Sequence, residues 1–267
     1  MRWNNLSGIA LLILSVLLIA LTGCSASSPP DGTDETATAS NGSGAADEGQ
    51  GAGDGAGDDS KEAYTMAKLL YQGHGSLRIT TADGKVIYVD PYAGEGYDLP
   101  ADLILVTHQH SDHNKLNLIK TMNPECVIIT EKEALKDGEH QSFDLGYATV
   151  EATLAGNKNH DPGECVGYLL ALPGLKVYVS GDTSRTAQME TFADRGIDYA
   201  LLCCDGEYNM GLAEASECAA LIGARYTIPY HMAPGKLFDS ALAGQFAADN
   251  RLIVTAGEEI DLEPLGC

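Results

Sequence analysis

The hydrophobic positions divide the chain into three parts with different patterns. Residues 6–21 form an almost uninterrupted apolar run, and residues 25–61 then contain no large apolar residue. From about residue 63 onward, short apolar segments alternate with polar turns, as expected for a chain that folds around a core. The pattern therefore predicts one globular domain over residues 63–267.

Within this domain the apolar segments are mostly short, and they predict strands before helices. Segments 76–80 and 86–89 flank a turn at residues 82–85 and predict a hairpin. Segment 102–107 is almost wholly apolar, as in a buried strand, and leucine and isoleucine then recur at helical spacing over residues 114–122. Further strands are predicted at residues 68–71, 126–130, 148–154, 166–172, 176–180, 199–202 and 226–228, and further helices at residues 186–195, 212–222 and 236–248. This order predicts mixed sheets covered by helices, an α+β or α/β arrangement.

The first 24 residues have the composition of a bacterial export signal. One arginine precedes the apolar run, which ends in Leu21-Thr22-Gly23-Cys24. This ending resembles a lipobox, in which Cys24 becomes the lipidated first residue after residues 1–23 are removed. The alternative is a bare transmembrane anchor, but the run is short against the roughly 20 residues of a bilayer span. We therefore expect an extracytoplasmic protein that is lipid-anchored to the bacterial membrane through Cys24.

Residues 24–62 are rich in Gly, Ser, Ala and Asp, which predicts a flexible acidic linker between the anchor and the domain. The whole chain carries a formal charge of -22, from 16 Lys+Arg against 38 Asp+Glu. Such a chain has little basic surface with which to replace the counterions of a nucleic acid, so no nucleic-acid partner is expected. A small-molecule substrate is the expected partner.

Six cysteines follow Cys24, and none has the CxxC spacing of a metal site. An extracytoplasmic location permits disulfides. Buried free thiols and one structural disulfide both remain open, since the sequence selects no pairing.

The most specific feature is the segment Thr107-His108-Gln109-His110-Ser111-Asp112-His113, directly after a predicted buried strand. In extended backbone, residues two apart point to the same side, so His108 and His110 can face one metal ion. The chain then turns and can present Asp112 and His113 to a second ion. Imidazole nitrogens and carboxylate oxygens suit zinc and similar divalent ions.

The remaining ligands of a metal centre must come from other strand ends, and few candidates exist. His160 lies in a polar loop after a predicted strand, Asp182 follows the apolar strand that ends near Ser180, and His231 ends the segment Ile228-Pro229-Tyr230-His231. Taken alone, each of these would be an ordinary loop, cap or structural residue.

The order of these residues resembles the metallo-β-lactamase superfamily: an HxHxDH motif, a distant histidine, a Gly-Asp pair and a final histidine. More narrowly, it resembles the ascorbate-6-phosphate-lactonase-like branch of Zn-dependent hydrolases of the β-lactamase fold. The resemblance covers about residues 68–233 and extends beyond the candidate ligands. The additional matches are Gly73-His74, Val89-Asp90-Pro91-Tyr92, Val166-Gly167-Tyr168, Gly181-Asp182-Thr183, Gly206-Glu207-Tyr208-Asn209-Met210 with Glu214-Ala215, and the closing Ile228-Pro229-Tyr230-His231.

The resemblance implies a four-layer αββα sandwich that binds two divalent metal ions. Residue by residue, it makes His108, His110 and His160 ligands of the first ion, makes Asp112, His113 and His231 ligands of the second, and places Asp182 between the two ions. Asp112 is also the implied catalytic residue, which orients the attacking water or accepts its proton. Zinc is the expected metal, and manganese or iron would accept the same ligands.

Two further residues are candidates for supporting roles beside the ligands. His74 can donate a hydrogen bond to a metal-bound carboxylate, or it can serve as a structural turn residue. Asp90, at the end of a predicted strand beside Pro91, has the same two interpretations.

Hydrolysis is the function that the intact ligand set favours. An activated water suits the cleavage of a lactone, ester, amide or phosphodiester. The alternative is a module of the same fold that binds metal or ligand without turnover. Redox chemistry is disfavoured, because related di-iron proteins place a glutamate where this chain has Gln109.

Overall fold

The computed structural model of this 267-residue chain describes residues 66–264. The predicted export signal, Cys24 and the predicted linker lie outside the described residues. Among residues 66–264, no helix is both long enough and apolar enough to cross a bilayer.

The described chain forms fourteen strands and three α-helices in the order of the sequence. The strands are β1 Ala67–Gly73, β2 Ser76–Thr80, β3 Val86–Val89, β4 Ala101–Leu105, β5 Met122–Ile129, β6 Leu135–Lys136, β7 Glu139–His140, β8 Ser142–Asp144, β9 Thr149–Leu154, β10 Val166–Leu172, β11 Leu175–Val179, β12 Tyr199–Cys203, β13 Tyr226–Tyr230 and β14 Glu259–Leu262. The helices are α1 Glu131–Ala134, α2 Leu212–Ile222 and α3 Ser240–Gln245, with short 3-10 helices at Leu116–Leu118, Ala187–Thr191 and Ala193–Arg195.

Twelve of these strands form two six-stranded mixed sheets. The first sheet has the order β14-β1-β2-β3-β4-β5, and its pairs β3-β4 and β4-β5 are parallel. The second has the order β13-β12-β11-β10-β9-β8, and its pairs β11-β12 and β12-β13 are parallel. Loops that follow parallel strands emerge at one edge of each sheet, and these loops carry the candidate metal ligands.

The main core contains buried side chains from both sheets, and β3 illustrates how each strand contributes. Alternate residues of a strand point to opposite faces of the sheet. Ile87 and Val89 accordingly join the main core, whereas Val86 and Tyr88 join a smaller cluster on the other face. The smaller cluster consists of Val86, Tyr88, Tyr97, Ala101, Ile104, Val106 and Ile119. This arrangement confirms the predicted mixed α/β sandwich.

Helix α2 packs on the second sheet and has the predicted bounds. Its buried residues Ala215, Cys218, Ala219 and Ile222 recur at the spacing of one helix face. Gly223 ends the helix with a φ of 62°, a left-handed conformation that glycine adopts without steric cost.

The predicted helix over residues 114–122 is wrong. Only Leu116–Leu118 form a 3-10 helix, and Met122 already begins β5. The carbonyl of Thr121 accepts a hydrogen bond from the backbone N–H of Ala101, so the end of this segment pairs with the sheet. Ile119 is buried in the smaller cluster. The apolar residues here therefore anchor a loop over the sheet.

Two other predicted helices are shorter than expected. The segment over residues 186–195 contains two 3-10 helices, and the predicted helix over residues 236–248 is reduced to Ser240–Gln245. Asp239 determines where α3 begins, because its Oδ1 accepts hydrogen bonds from the backbone N–H groups of Ala241 and Leu242.

The cysteines of the described chain carry no disulfide. Cys126, Cys165, Cys203, Cys204 and Cys218 are all free, and all but Cys126 are buried. The free-thiol alternative therefore holds for these five residues, while Cys267 lies outside the described residues.

The carboxylate of Asp102 joins three neighbours at the start of β4, and we expect its loss to destabilise the fold. Asp102 accepts hydrogen bonds from Lys85 Nζ, the Val86 N–H and Asn123 Nδ2, each at 2.9 Å. Burial alone would raise the pKa of Asp102, but these donors hold it below its usual value. Asp102→Ala should lower the free energy of unfolding by about 2 to 3 kcal/mol, because it leaves a buried N–H without a partner.

Denaturant unfolding at neutral pH measures this change, and Glu217→Ala, an exposed carboxylate on α2, is the control. The pKa of Asp102 is lower in the folded protein than in the unfolded chain, where it is about 4. The ionised carboxylate therefore stabilises the fold at pH values above about 4, and this stabilisation is lost as the pH falls through the folded pKa. An equal loss of stability in both variants, or a difference between them that persists in strong acid, would contradict this role.

Candidate metal centre

Six of the seven candidate ligands lie in loops that follow parallel strands of the two sheets. His108 follows β4, Asp182 follows β11 and His231 follows β13. The ends of these strands meet at one edge of the sandwich, so residues far apart in sequence lie close together. His160 joins them from the loop between β9 and β10.

The first group of side chains consists of His108, His110 and His160. Their ring centroids lie 4.6 Å apart for His108 and His110, 5.1 Å for His108 and His160, and 4.9 Å for His110 and His160. One nitrogen from each ring lies within 4.8 Å of the other two. These three imidazoles could therefore hold one metal ion.

The second group consists of Asp112, His113 and His231, with His74 beside them. One ligand atom from each of the four residues lies within 4.8 Å of the others. The rings of His113 and His231 are stacked with centroids 5.2 Å apart, and the His74 ring lies 3.9 Å from that of His231. His74 Nε2 lies 3.2 Å from Asp112 Oδ2. This bond is the largest influence on the pKa of Asp112 and holds it well below its usual value.

Asp182 lies between the two groups. Its Oδ1 is 3.6 Å from His113 Nε2, and its Oδ2 is 3.4 Å from the Nε2 atoms of both His160 and His231. The side chain is 3% exposed. Burial alone would raise the pKa of Asp182, but the surrounding imidazoles, chiefly His231 and His113, hold it well below its usual value.

Several buried atoms in these groups have no hydrogen-bond partner. They are the Nε2 atoms of His108, His113 and His231, the Nδ1 atoms of His74 and His231, and the Oδ1 atom of Asp182. Burial, together with neighbouring His113, lowers the pKa of His108 to about 2, so this ring remains neutral. Unpartnered buried polar atoms are costly, and a cluster of imidazole nitrogens that converge on a carboxylate fits a metal ion.

Asp90 is completely buried and contacts residues of this cluster. Its Oδ2 lies 2.9 Å from His113 Nδ1 and accepts a hydrogen bond from Thr107 Oγ1, while its Oδ1 accepts one from the Thr107 N–H. Thr107 Oγ1 also lies 3.0 Å from His108 Nδ1. Asp90 therefore fixes His113 directly and fixes His108 through Thr107.

Asp205 and Asn209 were not identified from the sequence. They contact His231 and Asp182 in the way that Asp90 contacts His113. Asp205 Oδ2 lies 3.3 Å from His231 Nδ1, and Asn209 Nδ2 donates hydrogen bonds to both Asp205 and Asp182. Despite its burial, Asp205 has a pKa lowered to about 2, with His231 the chief cause. Asn157, also missed, has its Oδ1 3.1 Å from His160 Nδ1. The available signals were the position of Asp205 two residues after β12 and that of Asn209 within the matched segment over residues 206–210.

Backbone strain is concentrated at the same place. Among the described residues, four non-glycine residues have positive φ: His74 at 54°, Asp90 at 46°, Asp137 at 56° and His231 at 44°. Three of the four belong to the cluster. Such conformations cost of order 1 to 3 kcal/mol each and concentrate at functional sites. A hydrogen bond from the His231 N–H to the His74 carbonyl links these two positions and stabilises their backbone conformation.

A two-sheet sandwich with histidines and aspartates at one edge defines the class of metal-dependent hydrolases of the β-lactamase fold. Residues 68–231, more than half of the chain, match the model of the β-lactamase superfamily domain. The chain therefore belongs to the β-lactamase superfamily.

Relatives and solved structures agree with this assignment. The chain is 28% identical over 194 residues to a UPF0173 metal-dependent hydrolase of Alkaliphilus metalliredigens, which covers 61% of this chain and 84% of the relative. A UPF0173 metal-dependent hydrolase of Geobacillus thermodenitrificans is 30% identical over 194 residues, with the same two coverages. A Parabacteroides distasonis crystal structure, assigned as a metal-dependent hydrolase, is 28% identical with a TM-score of 0.56, covering 69% of this chain and 91% of its own. The present protein is a metal-dependent hydrolase of this fold.

Proposed function

We propose that this cluster is a dinuclear metal centre that hydrolyses a lactone, ester, amide or phosphodiester. His108, His110 and His160 would hold the first ion, and Asp112, His113 and His231 would hold the second. Asp182, which lies between the two groups, would serve both ions. Zinc is the proposed metal, since all seven ligands offer nitrogen or oxygen and none a thiolate, and manganese or iron would accept the same set.

The observation that carries this proposal is the set of unpartnered Nε2 atoms around Asp182. His108 and His113 come from the loop after β4 and His231 from the loop after β13, yet each is buried with Nε2 unpaired. The other nitrogen of His113 faces Asp90, and that of His231 faces Asp205. A carboxylate on the outer nitrogen sets the tautomer that leaves Nε2 free to bind a metal.

Two divalent ions at these positions would supply Lewis acidity and lower the pKa of water toward neutrality. The protein side chains then position the substrate and move protons. Asp112 is the proposed proton acceptor, because its side chain is 39% exposed and lines a cavity of about 370 Å³ together with His110, Asp182 and Tyr208. His74, in contact with Asp112 Oδ2, keeps that carboxylate oriented and ionised.

The test is to measure metal content and hydrolysis together on the purified protein, beside His110→Ala. The substrate panel contains a lactone, a phosphodiester, a carboxylic ester and a β-lactam. About two ions per chain, with turnover lost in the variant, would support the proposal. Metal bound without turnover on any substrate would favour the non-catalytic alternative, and no metal bound under replete conditions would overturn the dinuclear centre.

Asp90→Asn should weaken metal binding although it preserves the size of the side chain. The amide can still accept the Thr107 N–H, but it presents an NH₂ group to His113 Nδ1. That nitrogen must then accept rather than donate, so the ring proton moves to Nε2 and faces the metal position. We expect a loss of roughly 10- to 100-fold in metal affinity, measured by competition with a chromophoric chelator. Asp198→Asn, a buried aspartate at the opposite end of β12, should leave the affinity unchanged.

We also propose that the protein acts outside the cytoplasm while anchored to the membrane through Cys24. The support is the apolar run over residues 6–21 followed by Leu21-Thr22-Gly23-Cys24. Cells grown with labelled palmitate should incorporate label into the full chain, and Cys24→Ser should abolish it. Equal labelling of both chains would refute lipidation at Cys24, and recovery of the unlabelled protein in the cytosol would refute the location.

A further inference from the structure

A second, larger cavity adjoins the cavity over the proposed metal centre. It measures about 710 Å³ and shares His110, Asn159 and His160 with the smaller cavity, which Tyr208 also lines. His108, which is 3% exposed and whose Nε2 has no hydrogen-bond partner, also lines the larger cavity. The two spaces therefore form one cleft, and the reactive edge of the cluster opens into both.

The larger cavity is acidic. Glu131, Asp161 and Glu164 contribute three carboxylates to its wall, against the single ammonium group of Lys132. No described residue forms an ion pair with any of these carboxylates.

Glu131 is the most informative of the three carboxylates, because it is only 6% exposed. Its Oε2 accepts a hydrogen bond from Gln109 Nε2 at 2.7 Å, and Gln109 also lines the cavity. The described hydrogen-bond donor to this carboxylate is a neutral amide and not a cationic side chain. A cation bound there would gain attraction, whereas an anion would meet repulsion with little screening.

We infer that the substrate carries a cationic group, such as an alkylammonium, which occupies the acidic cavity while the cleaved bond lies in the smaller cavity over the metal centre. This inference rests on the proposed function and adds the charge class of the substrate to it. It also argues against a phosphorylated or carboxylated substrate, since an anionic tail would face Glu131, Asp161 and Glu164. Tyr208, which is 49% exposed, lines the smaller cavity at the reacting end.

The test uses three hydroxamates that share a metal-binding head and differ in the charge of the tail. They are 6-aminohexanohydroxamate, hexanohydroxamate and the monohydroxamate of adipic acid, which are cationic, neutral and anionic. Calorimetric dissociation constants are measured on the metal-loaded protein, so the readout does not depend on turnover. At low salt we expect the cationic probe to bind at least about tenfold more tightly than the anionic one, and high salt should reduce the difference.

The double variant Asp161→Asn/Glu164→Gln should reduce this preference to about threefold or less, because two of the three carboxylates are neutralised. Asp261→Asn/Glu217→Gln removes two exposed carboxylates outside the cleft and should leave the preference unchanged. Equal binding of all three probes, or tightest binding of the anionic one, would overturn the inference and leave the metal centre standing. Failure of all three probes to bind would overturn the proposed centre and the inference together.

Discussion

Asp182→Asn is expected to reduce bound metal to about one ion per chain or fewer and hydrolysis by roughly 10³-fold, since dinuclear catalysis supplies several kcal/mol. The carboxylate lies within 3.6 Å of His113 Nε2 and 3.4 Å of the Nε2 atoms of His160 and His231, so it contacts both proposed ligand groups. Asparagine keeps the shape but removes the charge that offsets two cations in a buried site.

Metal content by elemental analysis and turnover on the active substrate of the panel measure this effect. Asp198→Asn is the matched control, because Asp198 is also buried and its Oδ2 accepts the Lys176 N–H at 2.8 Å. The control should keep both metals and full activity. A variant at Asp182 that retains two ions and turns over normally would remove Asp182 from the bridging role, and equal losses in both variants would indicate a general effect on folding.

The candidate ligands could be chosen from the sequence because each follows an apolar strand. The segment from Thr107 to His113 combines a strand end with four ligand-type side chains, and Asp182 and His231 repeat the pattern of strand followed by ligand. Residue type and position along a strand are local properties. The structure brings these distant residues together at one edge of the sandwich.

The residues that orient the ligands could not be chosen in the same way. Asn157 and Asn209 are ordinary loop amides in the sequence, and their roles depend on distances to His160 and Asp182 that only the fold determines. Asp205 follows a strand as Asp182 does, yet nothing local connects it with His231. Contacts between separate loops leave no periodic pattern in the sequence.

The errors in helix prediction have a related cause. Leu116, Leu118 and Ile119 have helical spacing, but the segment lies against the outer face of the first sheet, where Ile119 is buried. A loop that covers a sheet needs apolar residues as much as a helix does, so spacing alone does not separate the two. Strand β14, far along the chain from its partner β1, was missed because pairing between such distant segments is not visible in either one.

Gly75→Ala is expected to disrupt the second ligand group without changing any charge. Gly75 does not have a positive φ, so alanine is not excluded by its backbone conformation. However, a Cβ atom at this position would lie 2.8 Å from His113 Cε1 and 3.5 Å from His231 Cδ2. The His113 ring cannot retreat freely, because Asp90 Oδ2 holds its Nδ1 at 2.9 Å. The backbone beside Gly75 is also fixed, since the His74 carbonyl accepts hydrogen bonds from Tyr71 Oη and the His231 N–H.

The methyl group must therefore displace the stacked rings of His113 and His231. The second ion, proposed at Asp112, His113 and His231, should then be lost before the first. We expect the affinity for the second ion to fall by at least about tenfold, with a cost of about 1 to 3 kcal/mol in the unfolding of the metal-free protein. Stepwise metal titration and denaturant unfolding measure the two effects separately. Gly244→Ala in α3 meets no atom within 4 Å and should stabilise the fold slightly, by about 0.4 to 1 kcal/mol, with both metals retained. If Gly75→Ala keeps both affinities, the close approach of this backbone to His113 does not shape the metal centre; if it weakens both ions equally, the two ligand groups act as one unit through Asp182.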